Sequence, residues 1–316
     1  MSDHFPKLPL GEWVASGVEY FTENFRSVTD LVSIAISAVN KVVDSAFIGL
    51  PGWLICVALV GAAIRFAGWK VAVFTLSGLL LIANLELWVP TMETLSLMTT
   101  AVLLSLAVGI PLGILAAEFR WADVAFSPIL DFFQTLHSFV YLIPVVVVFG
   151  IGSIPAVLAT MIYVIPLSVR LTSLGLKGVP IEVIEAGEAF GATRLQLLRK
   201  VKFPTAAAAV LAGVTQTIMI AFGFIVVAAL IGAGGLGQEI VRGITTLDLS
   251  IGSEAGLALV ILAIILDRIG RGMGEHVLMS RSKTRSNALA ITTPKSLAAF
   301  YRKTLRQFVP TVNTKG

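Results

Sequence analysis

The sequence predicts an all-α polytopic membrane protein with about seven transmembrane helices. Of its 316 residues, 56% are hydrophobic and only 13% are charged, whereas soluble globular proteins carry about 25% charged residues. Several uncharged segments are long enough to cross a bilayer, and most charges fall between them. This composition excludes a disordered chain and argues against a soluble enzyme. The single cysteine, Cys56, lies in an apolar run, so no internal disulfide can form.

The spans follow from the lengths of the apolar runs, because a helix needs about 20 mostly apolar residues to cross the membrane. Residues 132–169 contain no Asp, Glu, Lys or Arg. One helix of that length would be about twice as long as the bilayer core is thick, and the turn-forming residues at 150–155 divide it in two. Only 12 residues separate Glu254 from Asp267, so the last span is short. The predicted spans are 46–64, 71–90, 94–117, 138–152, 154–173, 206–231 and 250–269.

The orientation follows from the loops that hold Lys and Arg. Seven spans place the two termini on opposite sides of the membrane. If the C-terminus is inside, 19 of the 23 basic residues lie on the inner side, and the outer side keeps only Lys7, Arg26, Lys41 and Arg242. Basic residues concentrate on the cytoplasmic side of membrane proteins, so the N-terminus is predicted outside and the C-terminus inside. Since the net charge of +4 is distributed between apolar segments, it gives no reason to expect nucleic-acid binding.

Residues 1–45 form the first of three predicted regions. Apolar or small residues recur there at helical spacing, which predicts an amphipathic helix on the outer membrane surface or against other spans. These residues are Trp13, Gly17, Phe21, Phe25, Val28, Val32, Ala35, Val39 and Val42. Residues 46–270 form the transmembrane region, and 271–316 form a basic cytoplasmic tail.

The sequence lacks the motifs of several chemistries. It contains no P-loop for ATP, and no Cys/His cluster with metal-binding spacing, so we expect no cofactor and no metal. An ion-driven carrier usually needs ionisable groups within its spans. The candidates are few and lie near span ends: Glu86, Glu93, Glu254 and Asp267. These observations leave transport or scaffolding, with an energy source on another protein.

The longest internal cytoplasmic loop, residues 174–204, predicts a short helix–turn–helix. Pro180 suits a first helical turn, and Thr193 is a candidate N-cap for the second helix. Gly187 and Gly191 are four residues apart and would share a face. Phe190 is a single aromatic knob at the elbow. One hypothesis is a docking plug for a groove on another protein; the other is an ordinary amphipathic loop with solvated charges.

The loop resembles the coupling motif of ABC-importer permeases, written E-A-A-x3-G-x9-I-x-L-P. Matching positions, in order, are Glu185, Ala186, Gly187, Gly191, Val201, Phe203 and Pro204. Gly187, Val201 and Phe203 depart from the motif by substitutions of tolerated size. Residues 128–270 also resemble the permease subunit of glycine betaine/proline importers, through the segments FVYLIP at 139–144, FGIG at 149–152, GGLGQ at 234–238 and ILAIILDR at 261–268.

The resemblance implies a type I ABC-importer permease core and a set of partners. Two permease copies form a homodimer in the bacterial plasma (inner) membrane, and a binding protein delivers the ligand from outside. Each loop docks on a cytoplasmic ABC ATPase subunit that binds ATP, so the chain itself is a transport subunit and not an enzyme. A bulky side chain at Ala186, Gly187 or Gly191 would hold the loop off its groove. The implied coupling residues are Glu185, Ala186, Gly187, Ala189, Phe190, Gly191, Ala192 and Pro204.

The resemblance also implies a substrate class, small quaternary amines such as glycine betaine. Proteins hold a quaternary ammonium against aromatic faces, so aromatic residues in the spans are candidates for the substrate path, although each could instead pack inside the protein or face lipid. The alternatives are a permease for another small solute such as an amino acid, choline or trimethylamine N-oxide, an ion-coupled secondary transporter, and a membrane scaffold. The aromatic candidates are Phe139, Tyr141, Tyr163 and Phe222.

Overall fold

The computed structural model describes residues 9–292, and every regular element in that range is helical. Two of the elements are not α-helices: a π-helical segment, Leu197–Lys202, and a 3-10 turn, Ala229–Ile231. The α-helices in that range are α1 (Leu10–Asn24), α2 (Arg26–Phe47), α3 (Gly52–Phe66), α4 (Trp69–Asn84), α5 (Trp88–Glu118), α6 (Arg120–Thr135), α7 (Ser138–Phe149), α8 (Ser153–Lys177), α9 (Ile181–Ala189), α10 (Arg194–Gln196), α11 (Phe203–Ala228), α12 (Gly235–Thr245) and α13 (Leu249–Thr292).

Four helices in the described range are long and apolar enough to cross a membrane individually. They are α5, α8, the continuous stretch Arg194–Ile231 and the Leu249–His276 part of α13. The number rises to six if α2 with α3, and α6 with α7, are each taken as one bent span. The remaining apolar helix, α4, has 16 residues. Each of the seven predicted segments thus contains a helix, but 46–64 and 71–90 also include breaks between helices. The helices α3, α4 and α7 are shorter than a straight span requires.

Two helices, α6 and α12, lie between the predicted spans and were not predicted. α6 joins α7 at an angle of 99°. It was not predicted as a span because it contains the charged residues Arg120, Asp123 and Asp131. The glycine-rich segment after α11 leads directly into the amphipathic helix α12. Both helices carry too many polar residues to be predicted as spans.

The N-terminal segment contains two helices instead of one, because the backbone leaves the helical conformation at Phe25. The buried side of α2 consists of Thr29, Ile36 and Val43, whereas Val28 and Val42 of the predicted apolar face are exposed. The bundle therefore covers a different side of α2 from the predicted apolar face, and the placement of that face on the membrane surface stays a prediction. The physical reason is a polar seam with α5, which turns the other side of α2 towards the bundle.

Hydrogen bonds between side chains form this seam. Ser96 of α5 donates to Asp44, and Thr100 of α5 donates to Asn40 across 3.1 Å. Asn40 in turn donates to Asp44 across 2.7 Å. Because these groups satisfy one another, α2 can pack against α5 with a polar surface.

The centre of the bundle is the contact between α5 and α8. Gly109 and Gly113 of α5 lie directly against Ser168 and Thr172 of α8. Small residues allow two helices to approach closely, which is the main source of packing energy between helices in lipid. Two apolar clusters flank this pair, one with α3, α4 and α13 around Leu79 and the other with α7 and α11.

The predicted boundary between residues 270 and 271 does not coincide with the end of a helix. α13 continues without interruption to Thr292. Gly272 of α13 lies against the backbone of Phe66, and Arg65 contacts His276, so α13 packs on the end of α3 beyond that boundary. Residues 293–316 of the predicted tail lie outside the described residues.

Three ion pairs lie near the end of the bundle where α5 and α8 finish. Lys202 binds Glu118 at 2.6 Å, and both side chains are largely covered, with 17% and 19% exposure. Lys177 binds Asp123 at 2.6 Å. Arg170 binds Asp131, and both of these side chains are more exposed, at 39% and 60%.

Removing one partner of the covered pair should destabilise the protein more than removing one partner of the exposed pair. Lys202→Met leaves the Glu118 carboxylate covered and unpaired, so we expect the free energy of unfolding to fall by about 2 kcal/mol. Arg170→Met breaks the exposed pair and should cost under about 1 kcal/mol. Chemical unfolding in detergent, followed by tryptophan fluorescence, measures both losses. Equal losses of unfolding free energy would contradict the expectation that the covered Lys202–Glu118 pair stabilises the protein more than the exposed pair does.

Candidate functional site

A helical hairpin, residues 181–202, projects from the end of the bundle where α5 and α8 finish. α8 ends at Lys177, and the chain turns at Gly178 and Pro180 into α9. Val179 is buried with Leu176, Ala206 and Val210 in a small apolar cluster. The chain returns through α10 and the π-helical segment into α11. A helix–turn–helix is therefore present at the predicted position, although Pro180 is the N-cap of α9 and not part of its first turn.

The elbow of the hairpin has a backbone conformation that requires Gly191. The N–H of Gly191 donates to the Glu188 carbonyl at 2.8 Å, and the N–H of Ala192 donates to the Gly187 carbonyl at 3.2 Å. These two bonds define a Schellman cap, in which the residue after the helix adopts the left-handed conformation that glycine favours. Gly191 has that conformation, with φ of 75°. The turn thus requires a left-handed backbone conformation at position 191, which glycine adopts without strain.

The return arm of the hairpin begins with a capping box. The Thr193 hydroxyl accepts a hydrogen bond from the Gln196 N–H at 3.4 Å. The Gln196 side chain accepts one from the Thr193 N–H at 3.0 Å. This reciprocal arrangement satisfies two backbone donors at the start of a helix. The predicted N-cap at Thr193 is present.

Gly187 faces the inside of the hairpin. A Cβ atom on Gly187 would lie 2.7 Å from Cδ1 of Leu197 and 3.4 Å from Cγ2 of Val201. Gly187 was predicted to share an outer face with Gly191, but Gly191 lies beyond the end of α9. Sequence reasoning missed Leu197, which is buried and forms the internal support of α9. The four-residue spacing of the apolar residues Leu197 and Val201 was a signal that could have found it.

Several apolar residues are exposed on the outer surface of the hairpin, and Phe190 is at its elbow. Phe190 is 92% exposed, and Ile181, Val183 and Leu195 are exposed as well. Among the other predicted coupling residues, Glu185, Ala186 and Ala189 are exposed, while Ala192 and Pro204 are half-buried. A large exposed aromatic residue on a rigid turn is typical of a protein-docking surface.

The predicted substrate-path residues do not form one group. Tyr163 stacks on Phe224 with ring centres 4.5 Å apart, and Tyr141 meets Tyr163 edge-on at 5.4 Å. Tyr141 and Phe224 are buried, and Tyr163 is half-buried. Phe222 is buried in the other apolar cluster. Phe139 is exposed and stacks on His137.

At the opposite end of the bundle, α5 binds the glycine-rich start of α12. The N–H of Gly235 donates to the Glu93 carboxylate at 2.9 Å, and the N–H of Leu236 donates to the Thr94 hydroxyl at 2.8 Å. Asp44, Glu93 and Gly234 line a cavity of about 340 Å³ there. Among the described residues, no three His, Cys, Asp or Glu side chains are placed to hold a metal ion.

Comparisons with known proteins agree with one another. Residues 109–277 match the family model of the binding-protein-dependent transport system inner membrane component. The chain is 38% identical to the glycine betaine transport system permease protein OpuAB of Bacillus subtilis (strain 168), over 90% of this chain and all of the relative. It is also 38% identical to the glycine betaine/proline betaine transport system permease protein ProW of Escherichia coli (strain K12), over 92% of this chain and 80% of the relative.

A solved structure of the MetNI methionine ABC transporter in inward-facing conformations is similar to this chain over 58% of this chain and 93% of its own chain. The TM-score is 0.55 and the sequence identity is 25%. The family model covers more than half of the sequence and includes the hairpin. The chain therefore belongs to the family of binding-protein-dependent transport system inner membrane components, and it is a membrane-embedded permease subunit.

Proposed function

We propose that the chain is the permease subunit of an ATP-driven importer for glycine betaine and related quaternary amines. The observation that carries this proposal is the exposed hairpin, with Phe190 at its elbow, on a chain of this permease family. The names of the two relatives at 38% identity support the substrate class.

We expect each end of the molecule to bind a different partner. The hairpin lies on the cytoplasmic side and docks on an ABC ATPase subunit, where ATP binds and is hydrolysed. A substrate-binding protein docks at the opposite, outer end, and a second copy of the chain completes the path. The N-terminus is outside and the C-terminus is in the cytoplasm.

The hairpin can act as a lever because its base is fixed to several helices. Val179 is packed with residues of α8 and α11, and the Lys202–Glu118 pair connects the return arm to α5. The Lys177–Asp123 pair connects the end of α8 to α6. A force applied at Phe190 therefore reaches the α5–α8 pair as rigid-body movement. Residues Glu185, Ala186, Ala189, Phe190 and Ala192 supply the docking surface, while Gly187, Gly191 and Pro204 maintain its shape.

The ion-coupled alternative loses support from the contacts of its candidate groups. Glu93 accepts a backbone hydrogen bond, Asp267 pairs with Arg271 at 2.8 Å, and Glu254 accepts from Ser250 at 3.1 Å. Of the four ionisable candidates, Glu86 alone has no such contact among the described residues and is exposed. No chain of ionisable groups crosses the described bundle, as a proton or ion relay would require.

The substrate path stays a prediction for the aromatic candidates. Phe139 and Tyr163 offer accessible ring surface to a quaternary ammonium, whereas Tyr141 and Phe222 are buried in this conformation. An exposed aromatic face can attract such a cation without hydrogen bonds. Phe139 and Tyr163 are therefore the first of the four to substitute.

Replacing Phe190 with a charged residue should disrupt ATPase binding. Phe190→Asp leaves the fold intact because the side chain is 92% exposed, but it removes the central apolar contact. We expect affinity for the ATPase subunit to fall at least ~10-fold, measured by co-purification in detergent. Ile151→Asp introduces the same charge at an exposed apolar position of the opposite end and should bind normally. Normal binding by Phe190→Asp would refute the docking role.

A side chain at Gly187 should loosen the hairpin from within. Gly187→Val forces α9 away from Leu197, with a local loss of about 1–3 kcal/mol. Hydrogen exchange of the α9 amides should accelerate accordingly. Ala186→Val adds the same side chain at an exposed position of the same helix and is the matched control. Equal exchange in both variants would show that the Gly187 contact does not hold the hairpin together.

Transport in reconstituted vesicles tests the substrate class. The chain, its ATPase and its binding protein should take up labelled glycine betaine only with ATP, and Phe190→Asp should abolish this uptake because the ATPase no longer drives the spans. Uptake that needs an ion gradient and no ATP would favour a secondary transporter. ATP hydrolysis stimulated by an amino acid, choline or trimethylamine N-oxide, but not by glycine betaine, would keep the architecture and replace the substrate.

A further inference from the structure

Two adjoining cavities lie along the line where α6 meets α8. The larger one, about 360 Å³, is lined only by apolar residues of α5, α6 and α8. The smaller one, about 180 Å³, lies nearer the end of α8 and has charged and hydroxyl groups in its wall. Phe126, Leu130 and Val169 line both cavities. We name the two together the α6–α8 cleft, with an apolar part and a polar part.

Polarity changes in one direction along this cleft. On α8, Ile162 and Ile165 line the apolar part, whereas Ser173 and Lys177 line the polar part. At 1.5 Å per residue, Ile162 and Lys177 are about 22 Å apart along the helix. The polar part is therefore at the hairpin end of the bundle, and the apolar part extends towards the middle of the bilayer. A phospholipid in one leaflet has the same order, with its headgroup at the surface and its acyl chains in the core.

The charges of the polar part are balanced. Lys177 binds Asp123 at 2.6 Å, and both side chains are about 40% exposed. Arg170 also lines the polar part and pairs with Asp131. A single ion pair leaves other N–H donors of Lys and Arg free for a phosphate, and it leaves carboxylate lone pairs free for an ammonium. The site thus complements a headgroup that carries both charges, whereas an anionic headgroup would meet the two carboxylates without a cation of its own.

A buried hydroxyl group in the polar part has no partner. Ser173 is only 6% exposed and lines this part of the cleft. Its hydroxyl makes no hydrogen bond within the described residues, and the same holds for Ser127 on the facing helix α6. Buried polar groups in proteins nearly always have a hydrogen-bond partner. A phosphate oxygen placed in the cleft would accept hydrogen bonds from these hydroxyls.

From the direction of polarity, the balanced charges and the unpaired hydroxyls, we propose that the α6–α8 cleft binds one phospholipid with a zwitterionic ethanolamine headgroup. The lipid phosphate accepts from Ser173 and Lys177, and the primary ammonium donates to Asp123. One acyl chain fills the apolar part and holds α6 against α8, beside the bend between α6 and α7. Only the assignment of this lipid to the inner leaflet rests on the proposed orientation.

Binding of defined lipids to the purified chain in detergent tests the site, with native mass spectrometry as the readout. We expect one phosphatidylethanolamine per chain, bound at least ~10-fold more tightly than phosphatidylglycerol or phosphatidylcholine with the same acyl chains. Ile165→Trp fills the apolar part and should weaken this binding at least ~10-fold. Ile264→Trp places the same side chain at an exposed position of α13 and is the matched control. Equal affinity for the three lipids, or unchanged binding by Ile165→Trp, would overturn the proposal.

A phosphatidylethanolamine with a photoreactive group on its acyl chain tests the unaltered protein, so the proposal does not depend on a variant that folds. Label should be attached to peptides of α6 and to residues 162–169 of α8. Label found only on other helices would refute the site. Absence of label would show that another protein segment or a second copy of the chain covers the cleft, and it would refute the site equally. Neither measurement uses the ATPase or glycine betaine, so a failure of the proposed function is detected separately, in the uptake assay.

Discussion

The close contact between α5 and α8 is the constraint on which the rest of the structure depends. In lipid, burial of apolar side chains gives little net gain, because the acyl chains are equally apolar, so stability must come from close packing and polar contacts. Gly109 and Gly113 allow α8 to approach the α5 backbone, with Ser168 and Thr172 filling the space. Two apolar clusters flank this pair, one with α3, α4 and α13 and the other with α7 and α11. The hairpin leaves from the end of α8 and returns into α11, so its orientation is inherited from the same pair.

Polar contacts then determine what happens at the two ends of the bundle. At the hairpin end, salt bridges fix the helix ends to one another. At the opposite end, Glu93 and Thr94 of α5 satisfy the backbone N–H groups that open α12. The Asn40 and Asp44 side chains connect α2 to the same part of α5. One helix, α5, therefore makes polar contacts at both ends of the molecule: an ion pair at the hairpin end and hydrogen bonds to backbone N–H groups at the other end.

Apolar runs and turn residues were sufficient to predict an all-helical membrane protein, the position of the hairpin and the N-cap at Thr193. They failed wherever the outcome depended on a partner that is distant in sequence. The side of α2 that packs on the bundle was not predicted, because α2 meets a polar stretch of α5 that a local pattern cannot contain. Gly187 was placed on the outside because its contact with Leu197 arises only when the hairpin closes. α6 and α12 were missed because the length of an apolar run predicts spans and not the polar helices between them. The coupling motif located the hairpin, but it could not distinguish the residues that form its surface from those that support its interior.

The uninterrupted course of α13 has a mechanical consequence. The helix starts beside Leu247 and, over the 28 residues Leu249–His276, reaches the contact with Arg65 near the other end of the bundle. At 1.5 Å per residue this rod is about 42 Å long, so a tilt of about 5° at one end displaces the other by about 4 Å. Since Gly270 of α13 also touches Thr215 of α11, such a tilt would shift the helix that receives the return arm of the hairpin. The two faces of the membrane are thus connected by a single stiff element, and no chain of small side-chain rearrangements is needed to carry a signal across.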